Sequence, residues 1–308
     1  MTLRPLAPQD TPCAVALWNR SAPHDPLTPA LFHEKVWGDP DVDPRRALLA
    51  VGDRGAPVGL AVGVRWGPPN ETRGTVKLIG VAPEHRRLGI GGHLLGAVEQ
   101  ALQEDGAVTC RVAECSPNYL VPGVDLRDTP GWLFVQKHGY AQVGEAVNMT
   151  VNLAADPLQP AGARPWSTAS DEARLAAAGV TVRRATPADR PGVEALVAAH
   201  WPAWIPEVEA AASRTLVSLH VAVRDGAVLG FSAFDANNVG TGWFGPMGTA
   251  PEARGLGVGG VLCRRCLADL AGQGLAQATI PWVAPVGFYA HHAGAHVSRV
   301  FHRFEKRL

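Results

Sequence analysis

The sequence predicts an α/β (α+β) chain built from two tandem domains, each a mixed central sheet flanked by helices. Three observations predict it. The stretch Val81-Ala82-Pro83-Glu84-His85-Arg86-Arg87-Leu88-Gly89-Ile90-Gly91-Gly92 returns as Thr249-Ala250-Pro251-Glu252-Ala253-Arg254-Gly255-Leu256-Gly257-Val258-Gly259-Gly260, in register at an offset of 249 − 81 = 168. Apolar periodicity and turn residues trace the same order of strands and helices twice along the chain. A length of 308 residues is enough for two separate cores.

In the first half, residues 3–6 read as a strand and the proline-broken stretch 8–37 as two short helices. Apolar runs at 47–51 and 58–64, parted by the turn cluster Asp53-Arg54-Gly55, read as a hairpin. Residues 76–81 make a third strand. Ile90, Leu94, Leu95, Val98, Ala101 and Leu102 then fall at helical spacing as far as Gly106. A strand at 109–113 completes a strand, helix, strand unit with parallel outer strands. A long loop at 117–130, a helix at 131–138 and a strand at 148–153 end this half.

Residues 154–179, rich in Ala, Pro and Gly with one helical patch at 171–178, read as a linker. The order then restarts. A strand at 180–184 precedes Thr186-Pro187, which caps a helix running towards His200. Strands at 219–223 and 228–233 flank Asp225-Gly226, and 242–247 is a further strand. Val258, Val261, Leu262, Cys266 and Leu270 mark a helix, followed by a strand at 277–282, a helix at 286–292 and a strand at 298–304. The expected domains are therefore 1–153 and 180–308.

Composition narrows the function classes. Lys+Arg and Asp+Glu both number 28, so neither a nucleic-acid surface nor a membrane surface is expected. Five scattered cysteines point to reduced thiols and a cytoplasmic setting. Cys263 and Cys266 sit inside a predicted helix without a second ligand pair and read as small buried hydrophobes. No uncharged apolar run reaches the roughly 18 residues of a membrane span. His291, His292 and His296 have no acidic partner nearby and diverge on a helix, so no metal site is expected.

The repeated stretch carries the chemistry. A strand ends at a proline, a glycine-rich turn carries an arginine, and a helix begins. Unpaired N–H groups at the helix start, its dipole and the arginine form a site for phosphate or diphosphate. Three readings compete. A Walker loop needs Gly-Lys-Ser/Thr, absent from both copies. Gly255-x-Gly257-x-x-Gly260 is formally a dinucleotide fingerprint, yet no acidic residue lies between Asp269 and Glu305 to hold a ribose, and the first copy breaks the pattern at Leu94. The third reading rests on Arg-x-x-Gly-x-Gly with a proline three residues before the arginine: Pro83, Arg86, Gly89 and Gly91, then Pro251, Arg254, Gly257 and Gly259. This pattern resembles the coenzyme A motif of the GNAT superfamily of acyl-coenzyme A-dependent N-acyltransferases.

The resemblance implies two tandem GNAT-like domains with largely antiparallel sheets, an arrangement also found in mycothiol synthases. It implies acetyl-CoA as acyl donor and a small-molecule amine as acceptor, with direct attack on the thioester. The coenzyme would be held by Val81, Arg86, Arg87, Leu88, Gly89, Ile90, Gly91 and Gly92 in the first copy. In the second it would be held by Met247, Thr249, Arg254, Gly255, Leu256, Gly257, Val258, Gly259 and Gly260. The strand before each motif is expected to splay from its neighbour; Gly245-Pro246 and Gly248 argue separately for a bulge there.

Tyr289, in Phe288-Tyr289 before Gly294, matches the family's tyrosine that assists the departing thiolate, with Phe134 standing in its place in the first copy. The base is weakly signalled, because residues 239–250 contain no carboxylate. Asp235 is the candidate, set against its reading as a turn residue before Asn237-Asn238. His220 reads as a packed core histidine. Trp201 and Trp204 lie where the family builds its acceptor wall, although core packing is the default for tryptophan. Glu114 and the Pro122-Gly123-Val124-Asp125 loop receive no role. Catalysis is expected mainly in the second domain, with the first as a degenerate coenzyme-binding partner; the alternative is a tandem acyl-CoA-binding sensor or scaffold without catalysis.

Overall fold

The computed structural model describes residues 1–53, 55–66, 72–154 and 166–308. Arg54 of the expected turn and residues 155–165 of the expected linker lie outside the described residues. The first half runs β1 (Thr2–Pro5), α1 (Thr11–Ser21), α2 (Pro29–Phe32), β2 (Val42–Val51), β3 (Pro57–Trp66), β4 (Arg73–Val81), α3 (Ile90–Glu104), β5 (Thr109–Val112), β6 (Val124–Asp125), α4 (Thr129–Lys137) and β7 (Ala141–Asn152). The second half runs α5 (Ala169–Ala177), β8 (Thr181–Arg184), α6 (Arg190–His200), α7 (Ile205–Ala212), β9 (Leu219–Arg224), β10 (Ala227–Phe234), β11 (Phe244–Thr249), α8 (Val258–Gly272), β12 (Gln277–Ile280), α9 (Val286–Ala293) and β13 (His296–Arg307). No helix among the described residues is long and apolar enough to cross a membrane.

Two compact units result: Met1–Ala146 with Val300–Leu308, and Val147–Arg299. They divide the chain differently from the expected 1–153 and 180–308, because the closing strand of each half is exchanged. In the first unit β13 lies antiparallel to β5, with Glu305 opposite Arg111 and Arg307 opposite Thr109. In the second, β7 lies antiparallel to β12, with Asn152 opposite Gln277 and Met149 opposite Ile280. Charge locks the exchanged strand of the first unit in place. Arg303 Nε donates to Glu114 at 2.6 Å, Arg111 Nε to Glu305 at 2.8 Å and Lys306 Nζ to Glu99 at 2.7 Å. Glu114, 5% exposed, is thereby fixed as a structural anion. An alternating apolar pattern says which face of a strand is buried but not which strand lies beside it, so sequence leaves the exchange open.

The expected linker also differs from what is built. Residues 166–179 belong to the second unit. Leu175 of α5 is buried with Val258, Val261 and Leu262 of α8, and Arg265 grips the Glu172 carboxylate with bonds of 2.8 and 2.7 Å. Burying one such leucine contributes about 1.5–3 kcal/mol, enough to fix a helix of this length to its neighbour.

The first unit's sheet has the order β1-β2-β3-β4-β5-β13, with β6 against β13. Among the described pairings of this sheet, β4–β5 is parallel and the others are antiparallel. Leu94, Leu95, Val98 and Leu102 of α3 cover one face, while Leu17, Leu31 and Phe32 from α1 and α2 cover the other. The second unit repeats this with β8-β9-β10-β11, all antiparallel, and a parallel bridge from Trp243 to Thr279 at the edge of β12. The duplication extends to side-chain detail. Arg4 clamps Asp10 with two bonds of 2.7 Å, and Arg183 clamps Asp189 with bonds of 2.6 and 2.7 Å. In both, the guanidinium holds the carboxyl below its usual range, and the carboxylate accepts the backbone N–H of Ala7 or Thr186 at the start of the following turn.

Candidate functional site

Each unit places a bulge where its central strands part. In the first unit Gly63 pairs with Val76 and Val62 with Leu78, leaving Lys77 as an extra residue on β4. In the second, Ser232 pairs with Met247 and Phe234 with Phe244, so the extra residue falls within Gly245-Pro246, where proline and glycine weaken ordinary pairing. The parallel neighbour stops beside each bulge. β5 follows β4 from Arg73 to Val76, and β12 meets the second unit's strand at Trp243 alone, an offset of 243 − 75 = 168 from the Thr75↔Arg111 pair. Beyond the bulge both strands run on towards their glycine-rich turns without a strand on that side among the described residues.

The two bulges differ in what fills them. Gly245 has φ +112°, and a methyl group added there would meet nothing within 4 Å. Lys77 is 2% exposed. Its ammonium bonds Asp39, whose carboxylate also accepts Asn118 Nδ2 at 3.1 Å. Lys35 Nζ donates to Glu34 and to Asn118 Oδ1, both at 2.9 Å. Burial, with Asp39 close by, raises the Asp41 carboxyl above its usual range. A buried charge persists only when paired in this manner, so the first unit's bulge is closed by its own side chains.

The turns themselves are built alike. Gly89 and Gly257 cap α3 and α8 with φ of 82° and 90°, a left-handed conformation that glycine adopts without strain. Neither cap makes a side-chain hydrogen bond, and an uncapped helix N-terminus of this kind is the sort of place that can receive an anion. The later glycines serve packing as well. A methyl at Gly91 would lie 3.1 Å from Phe134 and one at Gly92 3.0 Å from His138; at Gly259 it would lie 3.4 Å from Phe288, and at Gly260 2.8 Å from His292. Met247 and Thr249 also border Gly259, at 3.5 and 3.4 Å. Ile90 and Val258 are buried anchors that offer only backbone to the turn.

These contacts correct one expected correspondence. Phe134 and His138 sit 4.6 Å apart at 52°, Phe288 and His292 4.6 Å apart at 50°, each pair over the matching glycines. Phe134 is therefore the counterpart of Phe288, and Tyr289 corresponds to buried Val135. Counting back from Gly139 and Gly294 misleads because one more residue separates ring from glycine in the second unit. Tyr289 is 9% exposed and edge-on to Phe244 at 5.9 Å and Phe288 at 5.0 Å. Burial, and then the neighbouring Cys263 and Cys266, push its hydroxyl well above the usual tyrosine range, so it is a neutral donor at physiological pH.

Asp235 directly follows β10, next to Phe234, which pairs with Phe244 beside the second bulge. Its carboxylate accepts Gly240 N–H at 3.0 Å and Gln273 Nε2 at 3.3 Å, beyond the last turn of α8. The bond from Gly240 is the contact that the turn reading expects. His220 is a core group, its Nε2 2.6 Å from Asp269, which also accepts Arg184 at 2.7 Å. Cys263 and Cys266 are fully buried, and burial raises the Cys263 thiol to about 12. His292 packs on Gly260, and no metal-binding cluster occurs among the described residues. Trp201 lies against Gly248, where a methyl would come within 2.5 Å of its ring, and stacks on Trp204 at 5.5 Å and 16°. Since Met247 and Thr249 point to the α8 side, the tryptophan pair covers the opposite face of β11.

The arginines part company. Arg86 donates to Val81 O at 3.2 Å and Ser21 O at 2.9 Å, clamped to its own frame. Arg87 and Leu88 are exposed, Arg87 with φ 65°. In the second unit Arg254 and Gly255 are exposed as well. The guanidinium seated on this turn comes from elsewhere: Arg174 Nη1 donates to Leu256 O at 2.9 Å. Sequence reasoning passed over Arg174, because its surroundings read as linker.

Known proteins share this fold. The model of the acetyltransferase (GNAT) family matches residues 11–120 and again 186–294. Among solved structures, a GCN5-related glucosamine N-acetyltransferase region of a fungal multi-domain GH3 β-N-acetylglucosaminidase superposes with a TM-score of 0.83 at 17% identity; the match covers 99% of this chain but only 38% of the fungal one. A tandem GNAT protein from the clavulanic acid biosynthesis pathway gives 0.68 at 15% identity, covering 99% and 98% of the two chains. A GCN5-related N-acetyltransferase from Sphaerobacter thermophilus gives 0.64 at 19% identity, covering 99% and 95%. At these identities the likeness is one of fold. No curated protein matches the sequence significantly.

Proposed function

Because the chain belongs to the acetyltransferase (GNAT) family, we propose that it transfers an acetyl group from acetyl-CoA to the amine of a small-molecule acceptor, and that the second unit does the chemistry. The observation that carries this reading is the contrast between the bulges: open space at Gly245, a buried lysine at Lys77. An incoming amine has room beside the second strand and none beside the first. The diphosphate of the donor rests on the N–H groups of residues 254–260, and the pantetheine runs along β11 past Met247 and Thr249. The neutral amine nitrogen then attacks the thioester carbonyl, the carbon–sulfur bond breaks, and the proton that the nitrogen sheds passes to the departing thiolate, so that the coenzyme leaves as the thiol.

Tyr289 lends a hydrogen bond to the departing sulfur. A thiol has pKa about 8–9 and a buried tyrosine lies above 10, so the proton is shared with the thiolate and not surrendered to it. β11 carries no carboxylate, and the acceptor enters with its nitrogen already neutral. Its rate of acetylation accordingly rises with pH through the amine's own pKa. The first unit, closed at Lys77 but retaining an outward-facing turn at residues 86–92, holds coenzyme without transferring from it. The test is release of free thiol from acetyl-CoA by the purified chain across a broad panel of small amines. Release with none of them would sink the enzyme reading and leave coenzyme binding alone.

A further inference from the structure

The helix that precedes the second copy of the fold reaches into its glycine-rich turn. Arg174 projects from α5, whose Leu175 is buried against α8, and its guanidinium lies over the residues that open α8. Nη1 takes the Leu256 carbonyl at 2.9 Å, and Nη2 stands 2.7 Å from where a methyl group on Gly257 would be. Its acidic neighbour Asp171 is 3.3 Å away and half exposed, so the positive charge is only partly offset. A guanidinium has five N–H donors, and these contacts leave several directed into solvent. Among the described residues, no side chain of the first unit donates to the Leu88 carbonyl. The side chain nearest a methyl at Gly89 is His93, at 3.5 Å, and Arg86 is spent on backbone carbonyls.

We propose that Arg174 is a direct ligand of the diphosphate of acetyl-CoA at the second turn. The proposal rests on the coenzyme assignment made above. A diphosphate seated on the first N–H groups of α8 comes within reach of a planar donor fork already held at Leu256 and Gly257, and such forks match phosphate oxygens in pairs. The second unit thus draws part of its coenzyme site from a segment outside the repeat, which makes the two turns unequal in affinity.

The experiment is calorimetric titration of CoA into the full chain, native and with Arg174→Ala, Arg174→Gln and Arg174→Lys, at low and moderate salt. Loss of one charge-assisted contact predicts about tenfold weaker binding at one of the two turns for the alanine variant. Arg174→Gln should behave like alanine, and Arg174→Lys should recover part of the affinity and of its salt dependence. Native affinity in Arg174→Ala overturns the proposal. So does native affinity in Arg174→Gln, whose amide can still serve the Leu256 carbonyl: that result means the arginine only props the turn. A native chain that binds no CoA at all removes the coenzyme assignment itself, an outcome distinct from both.

Discussion

At the point where the central strands separate, the first unit has an extra lysine and the second an extra glycine followed by proline. Lys77 is sealed by Asp39 and Asn118, with Lys35 and Glu34 behind them. Gly245 faces open space with φ +112°. The frame around these positions is duplicated in four respects: the bulge, the parallel neighbour that ends beside it, the left-handed glycine and the ring pair over the helix start. What differs is whether a second molecule has anywhere to go. Under the proposed function, a duplicated frame keeps one half for chemistry and turns the other into packing, and the residue at the bulge, Lys77 or Gly245, separates the two.

The largest expected effect comes from breaking the sealed side. Lys77→Ala leaves Asp39 buried without its counter-charge, and removal of one partner of a buried ion pair costs about 3–5 kcal/mol. Chemical denaturation should show that loss, with hydrogen exchange accelerated along β4. Acetyl transfer by the second unit should continue. A paired replacement, Lys77→Met with Asp39→Leu, should recover most of the stability, because an ion pair exchanged for apolar groups of similar volume is often neutral. A Lys77→Ala chain as stable as the native one would mean that the pair is solvated, and the first bulge would then be open after all.

The reciprocal change is smaller in free energy but decisive for function. Gly245→Lys writes the first unit's residue into the second, and under the proposed function it should reduce transfer at least about a hundredfold, the scale of effect seen when reactants are displaced by an ångström. Holding a lysine at positive φ adds strain of about 1–3 kcal/mol, so a thermal melt belongs beside the assay. CoA affinity should stay close to native, since the turn at residues 254–260 is untouched. Equal loss of binding and transfer would break the comparison, placing Gly245 in the frame of the coenzyme site and not at the acceptor's entrance.

Much of this frame is legible in the sequence because it is written locally. The spacing of Leu94, Leu95, Val98 and Leu102 specifies a helix with one buried face, and glycine at 89 and 257 permits a turn that other residues resist. The Gly245-Pro246 pair marks its bulge by the same local logic. The exchange of β7 and β13 is not local: period-two patterning identifies the buried face of a strand and is silent on its neighbour. Arg174 escaped notice for a compositional reason, since alanine, proline and glycine around it read as linker although Leu175 pins it to α8. Asp235 shows the same limit of local reading. It stands at the end of the strand before β11, and its oxygens accept from Gly240 N–H and Gln273 Nε2, the latter a long-range contact that no local pattern announces.

The smallest effect concerns α4 and α9, where the units differ by Val135 against Tyr289. If the hydroxyl only stabilises developing thiolate, Tyr289→Phe keeps the ring packing against Phe244 and Phe288 and removes one hydrogen bond. That should lower kcat about tenfold, or about 1.4 kcal/mol, with KM for acetyl-CoA nearly unchanged. The pH profile supplies the sign. Burial raises the hydroxyl's pKa, so the donor form persists above the ordinary tyrosine value of about 10, and native kcat should show no alkaline fall up to that pH. An alkaline limb near 9 that disappears in Tyr289→Phe would mean that the hydroxyl ionises during turnover. The tyrosine would then be a proton donor in full, and the difference between the two units would lie in this helix as much as in the bulge.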